Sequence, residues 1–167
     1  MAAGNTYVAL ATNTLGSATA SVTFSSISGA YTDLVLVFNG GIATGAQDIW
    51  VQVNGDTGAN YSRTNMYGSG TAAGSTRLSA QTKFAMNDAA ALDGAYQFMS
   101  VMQFMNYSNT TTYKTMLERA NNAARGVDAG VHLWRSTAAI NSIYVYNSGA
   151  TNYVAGSTFT LYGIAAA

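Results

Sequence analysis

The stretch Asp48-Ile-Trp-Val-Gln-Val-Asn-Gly55 decides the fold class. Its apolar residues recur at every second position, so Ile49, Val51 and Val53 face one way and Trp50 and Gln52 the other. That is the period of a half-buried strand. Asn54-Gly55 ends it with the dipeptide that most favours a two-residue hairpin turn, because both residues accept positive φ. Upstream, Asp33-Leu-Val-Leu-Val-Phe38 is a continuous apolar run. Such a run suits a strand buried on both faces or at the centre of a sandwich.

The same vocabulary extends over the chain. Strands are predicted at Tyr7–Leu15, Ala20–Phe24, Tyr61–Tyr67, Arg77–Met86, Ala95–Tyr107, Thr111–Arg119, Gly130–Arg135, Ile140–Tyr146 and Ser157–Ile164. Turn residues separate them, as at Gly68-Ser-Gly70, Asp93-Gly94 and Asn147-Ser-Gly149. Met116–Arg125 carries a competing preference for one short helical turn, through its Leu, Glu, Arg and Ala residues and the following Gly126. The expected fold is all-β: a single antiparallel β-sandwich of jelly-roll type with about ten short strands and little or no helix. One domain is expected over residues 1–167, with residues 1–6 as a short N-terminal arm.

Composition narrows the function. Seven basic and seven acidic residues give a formal net charge of zero, which argues against a general electrostatic footprint for nucleic acid or an anionic membrane. Charged residues make up 8% of the chain, against about 25% in ordinary soluble domains. A neutral free monomer risks association, so this surface suits a protein packed against neighbours. Pro is absent and the lysines are only Lys83 and Lys114, so edge strands lack two common guards. No Cys is present, which excludes disulfides, thiolate metal sites and Cys nucleophiles. No secretory signal or membrane span is read, so synthesis in a cytoplasm is expected.

Few residues suggest chemistry. His132 is the only histidine and alternates within a strand pattern, so a structural place is expected. Six of the seven acids fall at predicted strand ends or turns, where Asp makes Asx-turns. Asn54–Asn60 superficially resembles a calcium loop but lacks the alternating acids and terminal Glu of one. No phosphate loop follows the glycines. The expectation is no enzyme, no metal and no cofactor. The aromatic and Met residues suit core or interface packing, with sugar stacking as the other use of Tyr. Trp50, Tyr67, Tyr96, Trp134 and Tyr153 are the interface candidates, being residue types enriched in hot spots; some of these are expected to be core.

Six segments together resemble a known module. They are Thr14-Leu-Gly-Ser17 with Ala20-Ser-Val-Thr-Phe24, Tyr31-Thr-Asp-Leu-Val-Leu-Val37, Val53-Asn-Gly-Asp-Thr-Gly-Ala-Asn-Tyr-Ser62, Met105-Asn-Tyr-Ser-Asn-Thr-Thr-Thr-Tyr-Lys-Thr115, Leu133-Trp-Arg-Ser-Thr137 and Gly156-Ser-Thr-Phe-Thr-Leu-Tyr-Gly-Ile164. Their order resembles a jelly-roll-like β-sandwich module of tailed-phage virion proteins, especially of cyanophages and marine phages. The resemblance implies a capsid decoration (cement) protein on the outer capsid surface. It implies a homotrimer that binds the major capsid protein and bridges neighbouring shell subunits. It carries no catalytic motif. The alternative it leaves is a tail-fibre or receptor-binding module recognising host glycans. No tail adaptor, heptad shaft or β-helical shaft is read in the sequence, which favours the decoration setting.

Overall fold

The computed structural model describes residues 6–165, and among them there are strands, turns and bends but no helix. Fourteen strands form. They are β1 (Tyr7–Thr14), β2 (Val22–Phe24), β3 (Asp33–Gly40), β4 (Ala46–Gln47), β5 (Ile49–Val53), β6 (Tyr61–Gly68), β7 (Ala73–Gln81), β8 (Phe84–Ala85), β9 (Leu92–Asp93), β10 (Phe98–Met105), β11 (Lys114–Asn122), β12 (Gly126–Trp134), β13 (Ile143–Asn147) and β14 (Thr158–Ile164). Eight make a large sheet in the order β1-β14-β3-β10-β11-β12-β6-β7, four make a small sheet β2-β13-β5-β8, and β4 pairs with β9. Every pairing of named strands is antiparallel.

The alternation in the deciding stretch survives in three dimensions. Ile49, Val51 and Val53 are fully buried, while Trp50 and Gln52 lie on the outer side of the small sheet. Inward residues of both sheets share one hydrophobic cluster. At its centre Phe38 stacks on Phe159 at 4.5 Å and meets Tyr153 and Phe98 edge-on or tilted at 5.4 and 5.8 Å. Such aromatic contacts add about 0.5–1.5 kcal/mol each beyond the buried area.

Two expectations are corrected and one competing preference is resolved in favour of the predicted strand. The strand count is fourteen because the predicted Arg77–Met86 strand divides into β7 in the large sheet and β8 in the small one, and because the two-residue strands β4 and β9 form where none was predicted. Met116–Arg125 is not helical. Most of it is β11, paired along its full length with β10 and β12, and Arg125 closes a short turn by donating its N–H to the Asn122 carbonyl. Cross-strand packing overrides the weak helical preference there. Asn54-Gly55 does make the tight turn, with φ of 54° and 66° and a bond from the Asp56 N–H to the Val53 carbonyl. It does not make a hairpin, because β5 belongs to the small sheet and β6 to the large one. Asn54 is instead tied to the lead-in of β13: its amide donates to the Ala139 carbonyl, and its Oδ1 accepts the Asn141 and Ser142 N–H groups.

The expected arm falls on residues 1–6, of which 1–5 lie outside the described residues. Thr6 accepts the Ala165 N–H at 3.0 Å.

Candidate functional site: an apolar outer sheet face

Three neighbouring strands of the large sheet wear their pattern inside out. On β12, Asp128 and His132 point inward and are buried, while Val127, Ala129 and Val131 point outward and are exposed. On β11, Lys114, Glu118 and Asn122 are buried and Leu117 is exposed. On β6, Arg63 and Asn65 are buried and Met66 is 65% exposed. Side chains alternate faces along a strand, so one register choice places both sets at once.

Most of the inward polar groups have found partners, although Arg63 Nε, Asn65 Oδ1 and His132 Nδ1 have none among the described residues. Asp128 accepts the backbone N–H groups of Asp88, Ala89 and Ala90 and the amide of Asn65. Arg63 pairs with Asp88, which also accepts from Asn65 and Thr76. His132 Nε2 faces Glu118 Oε2 at 3.0 Å with both side chains wholly buried, and Glu118 also accepts the Asn87 N–H. Asp93 is held by Arg125 and by the Ala95 and Tyr96 N–H groups. The segment from Asn87 to Ala90 therefore lies over this half of the sheet with its backbone donors turned to buried carboxylates. A loop brings unpaired N–H groups that an apolar face could not satisfy.

These environments shift the acids. Burial pushes the Asp88 carboxyl up, but the Thr76 and Asn65 hydrogen bonds and the Arg63 charge outweigh it and hold it below the usual range. Asp93 is likewise lowered, with burial outweighed by Arg125 and the Tyr96 and Ala95 N–H groups. Asp48 is raised by burial, partly offset by Arg63 and reinforced by Asp88, Asp128 and Glu118. Lys114, buried with its ammonium on the Thr112 and Thr137 carbonyls, is lowered by burial.

The outward set forms a continuous surface. Register places Val37, Val101, Arg119, Ala129, Met66 and Ser75 in one cross-strand row. The adjacent row runs Val35, Gln103, Leu117, Val131, Thr64, Arg77. Met99, Met105, Leu117, Val127 and Val131 are each 39–58% exposed. A shallow groove of about 580 Å³ runs between the rows, lined by Met66, Val101, Leu117 and Val131 among others. Four strands at about 4.8 Å spacing and about 3.3 Å per residue give a footprint on the order of 400 Å². That is the size of the largest apolar patch on a typical monomer, which is often functional.

The five candidate aromatics are not brought together. Trp134 and Tyr153 are buried core and offer a partner nothing. Trp134 donates to Asp56 at 2.6 Å and stacks on Tyr61. Trp50 sits on the far side, against Tyr146 and under the Lys83 ammonium. Tyr67 is half-buried on β6, and Tyr96 is exposed beside Asp93. Of the residues that make the apolar face, Met66 is read from sequence only as one of the methionines suited to core or interface packing, and Leu117, Val127 and Val131 are not among the candidates. The signal for them is the mixed pattern of Gly126–Trp134, where one alternate set is apolar and the other carries Asp128 and His132. The calcium-like loop is fastened by the protein itself: Asp56 accepts from Trp134, Asn60 and Gly58. Among the described residues no group of three or more His, Asp or Glu is placed to hold a metal ion.

No family model matches the chain, and no curated protein sequence matches it. Among solved structures, a protein of unknown function from Shewanella oneidensis MR-1 aligns over all of this chain and 83% of its own, at 8% identity and a TM-score of 0.24. Similarity at that level carries no argument about function.

Proposed function

We propose that this chain is a non-enzymatic capsid decoration protein, which seats the outer face of its large sheet on a shell and stabilises that shell by bridging neighbouring subunits. The observation that carries the reading is the exposed apolar set on β6, β11 and β12, opposite a polar set buried at internal cost. Such strands suit a face that is covered in the working state. We read the layered sheets as a β-sandwich of jelly-roll type, the subunit as one member of a homotrimer, and its place as the outer capsid surface of a tailed-phage virion. The low charge of the chain and the resemblance of its ordered segments support that setting. Binding only the assembled lattice stabilises it by mass action, and a trimer gains effective concentration from several modest contacts.

The buried Glu118–His132 pair is the arrangement nearest to acid–base chemistry, but neither side chain has any exposure, so a substrate has no route to it. A receptor-binding reading draws on the surface aromatics of the small sheet, Trp50, Tyr144 and Tyr146. One face of each ring is engaged within the chain, Tyr144 on Tyr146 at 4.9 Å and Trp50 under Lys83. The test is copy number in purified virions, by quantitative mass spectrometry against the major shell protein. A number comparable to the shell protein is expected. A few tail-associated copies would favour receptor binding, and absence from the particle would overturn the virion assignment.

A further inference from the structure

Net charge zero conceals an asymmetry. Among the described residues, all seven carboxylates accept hydrogen bonds from groups of the chain itself. Asp33 takes Gln103 and the Asn106 N–H, Asp48 takes Asn87, Glu118 faces His132, and Asp56, Asp88, Asp93 and Asp128 are bound as described above. The cations divide differently. Arg63 and Arg125 pair with acids, Lys114 and Arg135 donate to carbonyls, and Lys83 covers Trp50. Arg77 and Arg119 make neither a salt bridge nor a side-chain hydrogen bond among the described residues. Both are exposed on the outer face of the large sheet. Register puts them three strand steps apart and one row out of line, about 16 Å by strand spacing and rise. The strip between them is Ala129, Met66, Val131 and Thr64.

We propose that this face takes a protein partner that presents an apolar ridge flanked by two carboxylates, received by Arg119 on one side and Arg77 on the other. The inference deepens the docking-face reading above and rests on it. Charge complementarity selects the occupant. A second copy of this chain docked face to face would set guanidinium against guanidinium, and no carboxylate stands on the outer side of β11, β12, β6 or β7 to meet them. A nucleic-acid backbone needs a continuous line of cations, whereas here two guanidiniums are parted by methionine and valine. Guanidinium suits carboxylate, whose two oxygens match its fork of donors. The apolar ridge supplies the contact area and the flanking ions fix its register.

The test is rebinding of released protein to virions stripped of it, with three chains: wild type, Val131→Glu, and the double variant Arg77→Glu with Arg119→Glu. All three changed positions are exposed, and a melting curve for each confirms folding. We expect Val131→Glu to abolish binding. We expect the double variant to bind about tenfold more weakly at low salt, with the gap narrowing as salt rises. If Val131→Glu binds like wild type, the docking face itself is refuted. If Val131→Glu fails to bind while the double variant stays within twofold of wild type, the face stands and the carboxylate partner is refuted. Duplex DNA bound by wild type as tightly as the stripped particle, and released by the double variant, would overturn the proposal in favour of a nucleic-acid surface.

Discussion

The two halves of the large sheet solve the same problem with opposite chemistry. On β14, β3 and β10 the inward residues include Phe159, Leu161, Leu34, Leu36, Phe38, Phe98, Met102 and Phe104, all buried in the shared cluster, with Ser100 the one buried polar side chain on β10. Their outward neighbours are mixed: Thr158, Thr160, Asn39 and Gln103 beside Val35, Val37, Met99, Val101 and Met105. On β11, β12 and β6 the buried set includes Glu118, Asn122, Asp128, His132, Arg63 and Asn65, while Met66, Leu117, Val127, Ala129 and Val131 face out beside Thr64, Thr115, Arg119 and Asn121. The first half meets side chains of the small sheet. The second meets the backbone of residues 87–90, whose N–H groups demand acceptors. Burial of charge follows from what covers a surface, not from the strand alone.

The largest way to break the comparison is to remove the acceptor at its centre. Asp128→Ala strips the partner from three backbone N–H groups and the Asn65 amide, and is expected to cost about 3–5 kcal/mol, as for breaking a buried polar pair. Phe38→Ala is expected to cost a similar amount, about 3–5 kcal/mol, through a cavity. Hydrogen exchange separates them. Asp128→Ala should deprotect Asp88–Ala90 before the rest of the chain, whereas Phe38→Ala should lower protection throughout the core strands. Equal local loss in both would erase the distinction.

Gly130 gives a smaller cut through the same half. A β-carbon there would lie 3.0 Å from His132 Nε2, 3.1 Å from Asn65 Oδ1 and 3.2 Å from Glu118 Oε2. Gly130→Ala therefore presses on the bonded His132–Glu118 pair and on Asn65 Oδ1, and is expected to cost about 1–3 kcal/mol in urea unfolding. Acid sharpens the contrast next. Asp88 and Asp93, in the polar half, and Asp56, whose burial is outweighed by Trp134, Asn60 and Gly58, are held below the usual range. A depressed carboxylate stabilises the fold above its unfolded pKa, and that stability goes as pH falls through the folded one. Stability should therefore hold from about pH 5 upward and decline below about pH 4. Asp48, raised by burial first, acts with the opposite sign and softens the decline. A melting temperature unchanged down to pH 2 would contradict this. The smallest effect is expected outside: Leu117→Thr or Val131→Thr should change unfolding free energy by no more than about 0.5 kcal/mol, since the exposed face contributes to contact and little to the core.

Much of the fold is legible in residue periods. Ile49, Val51 and Val53 point inward as the alternation requires, and the apolar run at Leu34–Phe38 lies in the middle of the large sheet. Periodicity divides a strand into two faces but does not say which one is buried. For Gly126–Trp134 the apolar set faces out, because the loop that covers the other side comes from residues 87–90, about forty positions away. The Asn54-Gly55 turn is equally local, while the sheet that the next strand joins is not. Trp134 and Tyr153 show the same limit for the site. A large aromatic can fill a core or an interface, and only the packing around Phe38 and Tyr61 decides. The free guanidiniums of Arg77 and Arg119 emerge only when every acid has been assigned its internal donor.

The methionines offer the most direct measurement of the central claim. Met66, Met99 and Met105 stand on the outer face at 65%, 41% and 39% exposure, while Met86, Met102 and Met116 are fully buried. Peroxide converts accessible Met to sulfoxide, so site-resolved oxidation by mass spectrometry reports that face alone. In the isolated chain Met66, Met99 and Met105 should oxidise first. In the intact particle Met66 should be protected at least tenfold, to about the rate of the buried three. Oxidation of Met66 at the same rate in the particle and in isolation would contradict the claim that this face is the one that is covered.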